Sequence, residues 1–311
     1  MKKGKYLITG CSGFIGSNLV KKIYKNYELI LVDDLSGSSI NNLPKTLRKK
    51  LIRKKIQNLK SLKTKKLDGI FHFAAQSSVP LSLIDFYNSS SNNLQSSIKV
   101  FELSKKFSAP IIYASSAAVY GNLPFGSDKK NKFSIKSPYA QDKLTVEDYA
   151  KMAFDVYKIP SVGLRMFNVY GPGQPPNNPY SSVIPKFIRK ILKNKPVTIN
   201  GGFQTRDFIY VQDVLNIILK SMQKIQEKKN FEIFNLCTGR SIKINFLFKL
   251  IRKKIGTNPR VIRRKIDKFD PKKSSGNIVK LLKFLRIKKY NFTNLEDGLH
   301  KTITHIRSLK I

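Results

Sequence analysis

Short apolar runs alternate along the first half of the chain with longer stretches whose apolar residues recur at helical spacing. Lys5-Tyr6-Leu7-Ile8-Thr9 is the first run, and an amphipathic segment, Phe14 to Tyr24, follows it. Glu28 to Val32, Asp68 to Ala75 and Pro110 to Ala114 are further runs, each apolar without alternation. A run of that kind, four to eight residues long, marks a strand covered on both faces, the usual state in a parallel sheet. Helical segments are predicted around Asn92 to Phe107 and from Ser137-Pro138 through Tyr157, and the Lys-rich stretch 41–66 holds one weak strand near Leu51 to Ile56. Strands alternating with helices require right-handed crossovers, so the pattern predicts an α/β, doubly wound parallel sheet.

Composition changes this picture little. The 311 residues suffice for one large domain or two ordinary ones. The formal charge of +40 is extreme, but only twelve of the 59 basic residues are arginine and the lysines are spread along the chain. Without a basic block interleaved with aromatic residues, the charge is read as compositional drift rather than as a specific nucleic-acid surface. Cys11 and Cys237 give no disulfide framework and suggest a reducing compartment. The apolar part before Cys11 is too short for a signal h-region, and there is no run of about 18 apolar residues, so a cytoplasmic protein without a membrane span is expected.

Chemistry enters at the turn after the first strand. Gly10, Gly13 and Gly16 stand at G-x-x-G-x-x-G spacing between a strand and a helix. Gly10 suits a tight turn, Gly13 close approach of a pyrophosphate, and Gly16 packing of helix on strand, with the helix N-terminus turned to the phosphates. Asp33, ending the second strand, is placed to accept hydrogen bonds from the adenosine ribose, and its charge opposes a 2′-phosphate, so NAD is preferred. Ala74 and Ala75 would let a ligand approach the sheet. His72, inside its strand, is read as a packing histidine, and Cys11 as a small residue tolerated in the loop rather than an activated thiol. Tyr139 and Lys143 are four apart on one helix face. The ammonium is expected to favour the phenolate, making Tyr139 a base, with Ser116 hydrogen-bonding the reacting oxygen.

With these residues on the page, the whole chain resembles the extended short-chain dehydrogenase/reductases of the nucleotide-sugar epimerase/dehydratase type. The marks are G-C-S-G-F-I-G at 10–16, V-D-D-L-S at 32–36, H-F-A-A-Q at 72–76, S-S-A-A-V-Y-G at 115–121 and Y-A-Q-D-K at 139–143. Later come L-R-M-F-N-V-Y-G-P at 164–172, G-G-F-Q-T-R-D-F-I-Y-V-Q-D-V at 201–214 and L-E-D-G-L at 295–299. The resemblance implies a Rossmann-type domain at 1–169 carrying the catalytic residues, and a smaller mixed α/β nucleotide-sugar domain at 170–311, with a segment near 200–240 returning to the first sheet. It implies that Ser116, Tyr139 and Lys143 form the triad and that Asn93 supports it. Around NAD it places Gly10, Gly13, Phe14, Ile15 and Gly16, then Asp33, Asn58 and Leu59, then Ala74, Ala75, Gln76 and Phe167, with Tyr139 and Lys143. Around the sugar nucleotide it places Ser77, Ser116, Tyr139, Asn168, Val183, Arg206 and Lys268. A homodimer through the helices near 92–107 and 139–157 is a further implication.

Within that family, dehydratases carry an Asp-Glu pair directly after the triad hydroxyl residue, and UDP-glucuronate decarboxylases carry a Glu just before Val-Tyr-Gly. Here those positions are Ala117 and Ala118. A 4-epimerase needs no such acid, and Gly171 to Pro185 resembles the corresponding segment of UDP-sugar 4-epimerases. A UDP-glucose or UDP-N-acetylglucosamine 4-epimerase is therefore expected. Another nucleotide-sugar dehydratase or reductase stays open as the alternative, and a non-catalytic NAD- or nucleic-acid-binding protein as a remote one. Two departures from the family pattern stand out. Asn58 replaces an Asp at the adenine, and the late diphosphate-binding Arg of R-x-G-D is missing, with Asp267 in register and Lys268 and Arg264 nearby. Arg206 could instead spend its charge on Asp207.

Overall fold

The computed structural model describes residues 4–130, 132–175, 182–267 and 269–309. In chain order its elements are β1 (Lys5–Thr9), α1 (Phe14–Ile23), β2 (Glu28–Val32), α2 (Lys45–Arg48), β3 (Leu51–Ile52), β4 (Gly69–His72), α3 (Val79–Ile84), α4 (Phe86–Phe107), β5 (Ile111–Ser116), α5 (Pro138–Tyr157) and β6 (Ser161–Met166). There follow β7 (Asn168–Tyr170), α6 (Val183–Leu192), β8 (Val197–Asn200), β9 (Thr205–Tyr210), α7 (Val211–Lys228), β10 (Phe231–Leu236), β11 (Ser241–Lys243), α8 (Ile244–Ile255), β12 (Val261–Arg264), α9 (Val279–Phe284) and α10 (Leu295–Ser308).

Two compact units interleave along the sequence. The first comprises residues 1–116, 137–165 and 215–234, and the second 117–136, 166–214 and 235–311. Residues 117–136 thus cluster outside the Rossmann-type unit, although they fall inside the expected 1–169 span. Residues 215–234 cluster with it, and β10 joins the edge of its sheet.

The first unit is built on a seven-stranded sheet of order β10-β6-β5-β4-β1-β2-β3. β1 pairs in parallel with both β2 and β4, β2 with β3, and β4 with β5. From β1 the chain steps outward to β3, then crosses back to β4 on the other side. This reversal opens a crevice at the carboxyl ends of β1 and β4, the place where doubly wound sheets bind ligands. Full burial of Leu7, Ile8, Ile70 and Ile111 explains the unbroken apolar runs. One core cluster joins Leu7, Ile70, Ile111 and Tyr113 of the sheet to Val100 and Phe101 of α4 and Val146, Ala150 and Ala153 of α5.

The second unit holds a mixed sheet of order β11-β9-β7, antiparallel between β11 and β9 and parallel between β9 and β7, and a parallel β12–β8 pair. Helix α5 spans the predicted residues: Ser137 accepts from the Ala140 N–H at 3.2 Å and Pro138 occupies the first turn. Helix α4 begins at Phe86, six residues before the predicted start, because Asp85 caps it and the Asn- and Ser-rich first half conceals the helical pattern. Among the described residues, no helix is long and apolar enough to cross a membrane.

Candidate active site

Gly10 turns the chain from β1 with φ +65° and lies so close to the end of β4 that a Cβ there would meet the Ala74 nitrogen at 2.6 Å. A Cβ at Gly16 would meet the Gly10 carbonyl oxygen at 2.1 Å. Both positions need glycine: Gly10 brings the β1–α1 loop against the end of β4, and Gly16 lets α1 close on its own loop. Gly13 caps α1 without a side-chain bond, so the helix begins on bare backbone, with Phe14 and Ile15 in its first turn. Asp33 fastens this loop from β2: its carboxylate accepts from the Ser12 N–H at 2.8 Å, the Leu35 N–H at 2.8 Å and the Ser38 hydroxyl at 3.1 Å. A carboxylate has about four acceptor positions, which leaves room for a ribose hydroxyl. The chemistry fits an adenosine diphosphate: bare helical N–H groups at a glycine turn, with a buried carboxylate one strand away. Ala74, Ala75 and Gln76 are half-buried in the loop after β4, and Ser77 is exposed there. Leu59 is buried, and Asn58 is exposed at the end of a short 3-10 turn, Ile56–Asn58.

Cys11 is fully buried in the same loop, and burial pushes its thiol up to about 12, so helix α1 does not activate it. His72 is buried and held at about 3 by burial, hence neutral, bonded to the Thr9 hydroxyl at 2.7 Å and the Ser97 hydroxyl at 3.1 Å.

Ser116 ends β5, while Tyr139 and Lys143 occupy the first two turns of α5. The Tyr139 hydroxyl is hydrogen-bonded to Ser116, and the Lys143 ammonium donates to the Ala114 carbonyl at 2.8 Å, 5.7 Å from the Tyr139 ring centre. The three expected residues are thus brought together within one unit. The expected acidification of Tyr139 by Lys143 does not dominate here. Burial raises the phenol above 10.0, the Ser116 bond lowers it, and the charge of Asp142 raises it further. Asn93, buried on α4, turns its amide to Asp142 and to the Gln76 backbone.

Sequence reasoning passed over a second layer. Glu147, one turn beyond Lys143, is buried and accepts from Arg165 on β6 through Nε at 2.8 Å and Nη2 at 2.6 Å, and from the Ser115 hydroxyl at 2.5 Å. Two signals were present: an acid four residues after the lysine, and an arginine inside the apolar run Val162 to Met166.

The sugar-nucleotide candidates in the second unit are Asn168, Val183 and Arg206, with Phe167 buried beside Gly276. The Asn168 amide donates to the Asp207 carbonyl at 3.0 Å, and half-buried Val183 opens α6. Arg206 ion-pairs with Asp270, not Asp207, and its Nη1 donates to the carbonyls of Thr205 at 2.7 Å and Pro271 at 2.8 Å. Asp207 instead accepts from Thr238 and Gly239. Three of the five guanidinium N–H groups are thereby used, leaving two for a diphosphate. Lys268 and residues 176–181 of the expected epimerase-like segment lie outside the described residues.

A doubly wound sheet with a glycine turn, an acid on the next strand and a Ser-Tyr-Lys set defines a dinucleotide-dependent short-chain dehydrogenase/reductase. Residues 6–237 match the model of the NAD-dependent epimerase/dehydratase family, and the chain belongs to that family. Its fold is similar to that of a UDP-N-acetylglucosamine 4-epimerase from Methanobrevibacter ruminantium, solved in complex with UDP-N-acetylmuramic acid, at a TM-score of 0.90, 32% identity and coverage of 99% of this chain and 100% of the other. A UDP-glucose 4-epimerase from Thermotoga maritima, solved with UDP-glucose, gives a TM-score of 0.87 at 28% identity over 99% and 100% of the two chains. The human dTDP-D-glucose 4,6-dehydratase is 34% identical over 250 residues, 76% of this chain and 69% of that protein.

Proposed function

We propose that the protein is an NAD-dependent 4-epimerase of a UDP-hexose, acting on UDP-glucose/UDP-galactose or UDP-N-acetylglucosamine/UDP-N-acetylgalactosamine. The observation that carries the reading is a complete Ser116-Tyr139-Lys143 set in which Ser116 is followed directly by Ala117 and Ala118, which have no acid function. Bound NAD supplies the reversible hydride acceptor for the sugar C4. Tyr139 takes the proton of the sugar 4-hydroxyl and later returns it, and Ser116 holds the same oxygen by hydrogen bonding. Lys143 supplies the positive charge that favours the phenolate, against the burial that disfavours it. Gly10, Gly13 and Gly16 leave room for the pyrophosphate, Asp33 binds the adenosine ribose, and Asn93 and Gln76 shape the loop beside them.

Asn168, Val183 and Arg206 are our candidates for the sugar nucleotide. Arg206 presents a fixed fork to the diphosphate. A dehydratase needs a general acid to expel a hydroxyl, and the positions that carry acids for this purpose in such relatives are the two alanines. We also propose a homodimer. Ile98 on α4 and Tyr149, Met152 and Val156 on α5 are exposed apolar residues on two helices that pack side by side. Two free, buried cysteines fit a cytoplasmic enzyme.

The test is incubation of purified protein with UDP-glucose and, separately, UDP-N-acetylglucosamine, followed by NMR of the sugar nucleotides. Conversion to the galacto epimers without net NADH supports the reading. A stable keto or deoxy sugar, or a requirement for stoichiometric reduced cofactor, overturns it.

A further inference from the structure

Between Tyr139 and Lys143 on α5 sits an ionisable side chain that the proposed mechanism does not use. Asp142 is 3% exposed, and its carboxylate accepts from the Asn93 amide at 2.9 Å. The rest of that amide is spoken for: its oxygen takes the Gln76 N–H at 2.8 Å, and its nitrogen also reaches the Gln76 carbonyl at 3.2 Å. Asn93 is fixed from behind as well, since its backbone carbonyl accepts from the Ser97 hydroxyl at 2.7 Å and Ser97 bonds to His72. Asn93 therefore fixes a buried carboxylate that lies on α5 between Tyr139 and Lys143.

We propose that Asp142 is a positioning residue for the Tyr139–Lys143 pair: held by Asn93, its buried carboxylate keeps Lys143 an ammonium and so sets the pH range in which the pair works. The inference rests on the 4-epimerase reading of the same pair. The charged and titratable groups around it are few. Glu147 on α5 is closed in an ion pair with Arg165 of β6, and Tyr113 of β5 is buried, its phenol pushed far up by burial. His72 of β4 is neutral. Burial drives the Lys143 amine down to about 8, and Asp142 is the foremost charge opposing that fall, ahead of Glu147. The same carboxylate raises the Tyr139 phenol. A negative charge lost at position 142 therefore moves both groups to lower pKa.

Asp142→Asn is the test, because the amide oxygen still accepts from Asn93 while the charge is gone. Two readouts are used. In protein labelled at lysine Cε with carbon-13, the Lys143 resonance, assigned by its loss in Lys143→Met, is titrated in both proteins. Its midpoint is expected to fall by about one pH unit in the variant. In turnover of UDP-N-acetylglucosamine or UDP-glucose, the kcat–pH profile is expected to move to lower pH, its alkaline fall starting about one unit below the parent's, which sets in at about 8, with KM little changed. A Lys143 midpoint within a few tenths of a unit of the parent, or a profile merely lowered in height, overturns the role of Asp142. Absence of turnover in the parent protein at any pH overturns the epimerase reading, while the titration still decides the inference. Should Asp142→Asn not fold by circular dichroism, Asp142→Ser removes the same charge with a smaller side chain and is read in the same two ways.

Discussion

Two arginine–carboxylate pairs, one in each unit, show how differently the same chemistry can be employed. Arg165 and Glu147 are 5% and 2% exposed, joined by two nearly parallel N–H to oxygen bonds, with Ser115 adding a third. Arg206 meets Asp270 through one nitrogen, and the Asp270 side chain is 40% exposed. The first pair has no route back to water, and it ties α5 to β5 and β6 behind Lys143 and Ser116. In the second the carboxylate faces solvent while the guanidinium is only 10% exposed, so Asp270 can give way to another anion that takes over its charge. Permanence belongs to the pair behind the proposed catalytic residues of the first unit, and an exposed carboxylate to the pair at Arg206 in the second.

The largest effect is expected at the reacting end itself. Tyr139→Phe should lower kcat by about 10²- to 10⁴-fold, with cofactor content unchanged, since only the proton-transfer group is lost. Near-parental kcat would remove Tyr139 from the base role. Next is Glu147→Ala, which takes the buried carboxylate away from the buried Arg165 guanidinium. Urea unfolding should show a loss of about 3–5 kcal/mol, and a loss under about 1 kcal/mol would put this pair in the same class as an exposed one. Arg206→Lys keeps the charge but not the fork. Its KM for the UDP-hexose should rise roughly tenfold, about 1.4 kcal/mol, at unchanged kcat, whereas a fall in kcat with KM intact would break the assignment. Smallest is Asp270→Asn: stability within about 1 kcal/mol of the parent and a KM that falls rather than rises as the guanidinium is freed. A raised KM would mean that Asp270 orients Arg206 rather than competing with the diphosphate.

How much was readable from the sequence follows the range of the interactions. The first unit announced itself because its strands are local apolar runs and its loop depends on glycines that tolerate no side chain, as the Gly16 contact shows. Helix α5 was legible through Ser137-Pro138, a local cap. Helix α4 was misjudged at its start because Asn88 to Asn93 is poor in helix formers, and tertiary packing overrides that preference. The Glu147–Arg165 and Asn93–Asp142 contacts join residues 18 and 49 apart, and no local pattern announces such partners. The charge of Asp33 points to a ribose in the sequence, while its bond to the Ser12 N–H, which fastens the glycine loop, is visible only in the fold. Of the interleaving, the resemblance implies the return of a segment near 200–240, whereas the placement of residues 117–136 in the second unit was hidden, since nothing in their composition sets them apart from their neighbours.

The central claim is that hydride moves at C4 with no acid to expel a hydroxyl, and it meets its most direct test in deuterium oxide. UDP-N-acetylglucosamine and UDP-glucose are each turned over in D₂O, and the sugar ring of the product is read by NMR and mass spectrometry. The account predicts the galacto epimer with only protium on carbon, because the hydride removed from C4 is the one returned. A product that has lost water and carries solvent deuterium at a ring or methyl carbon would show elimination, and would contradict it.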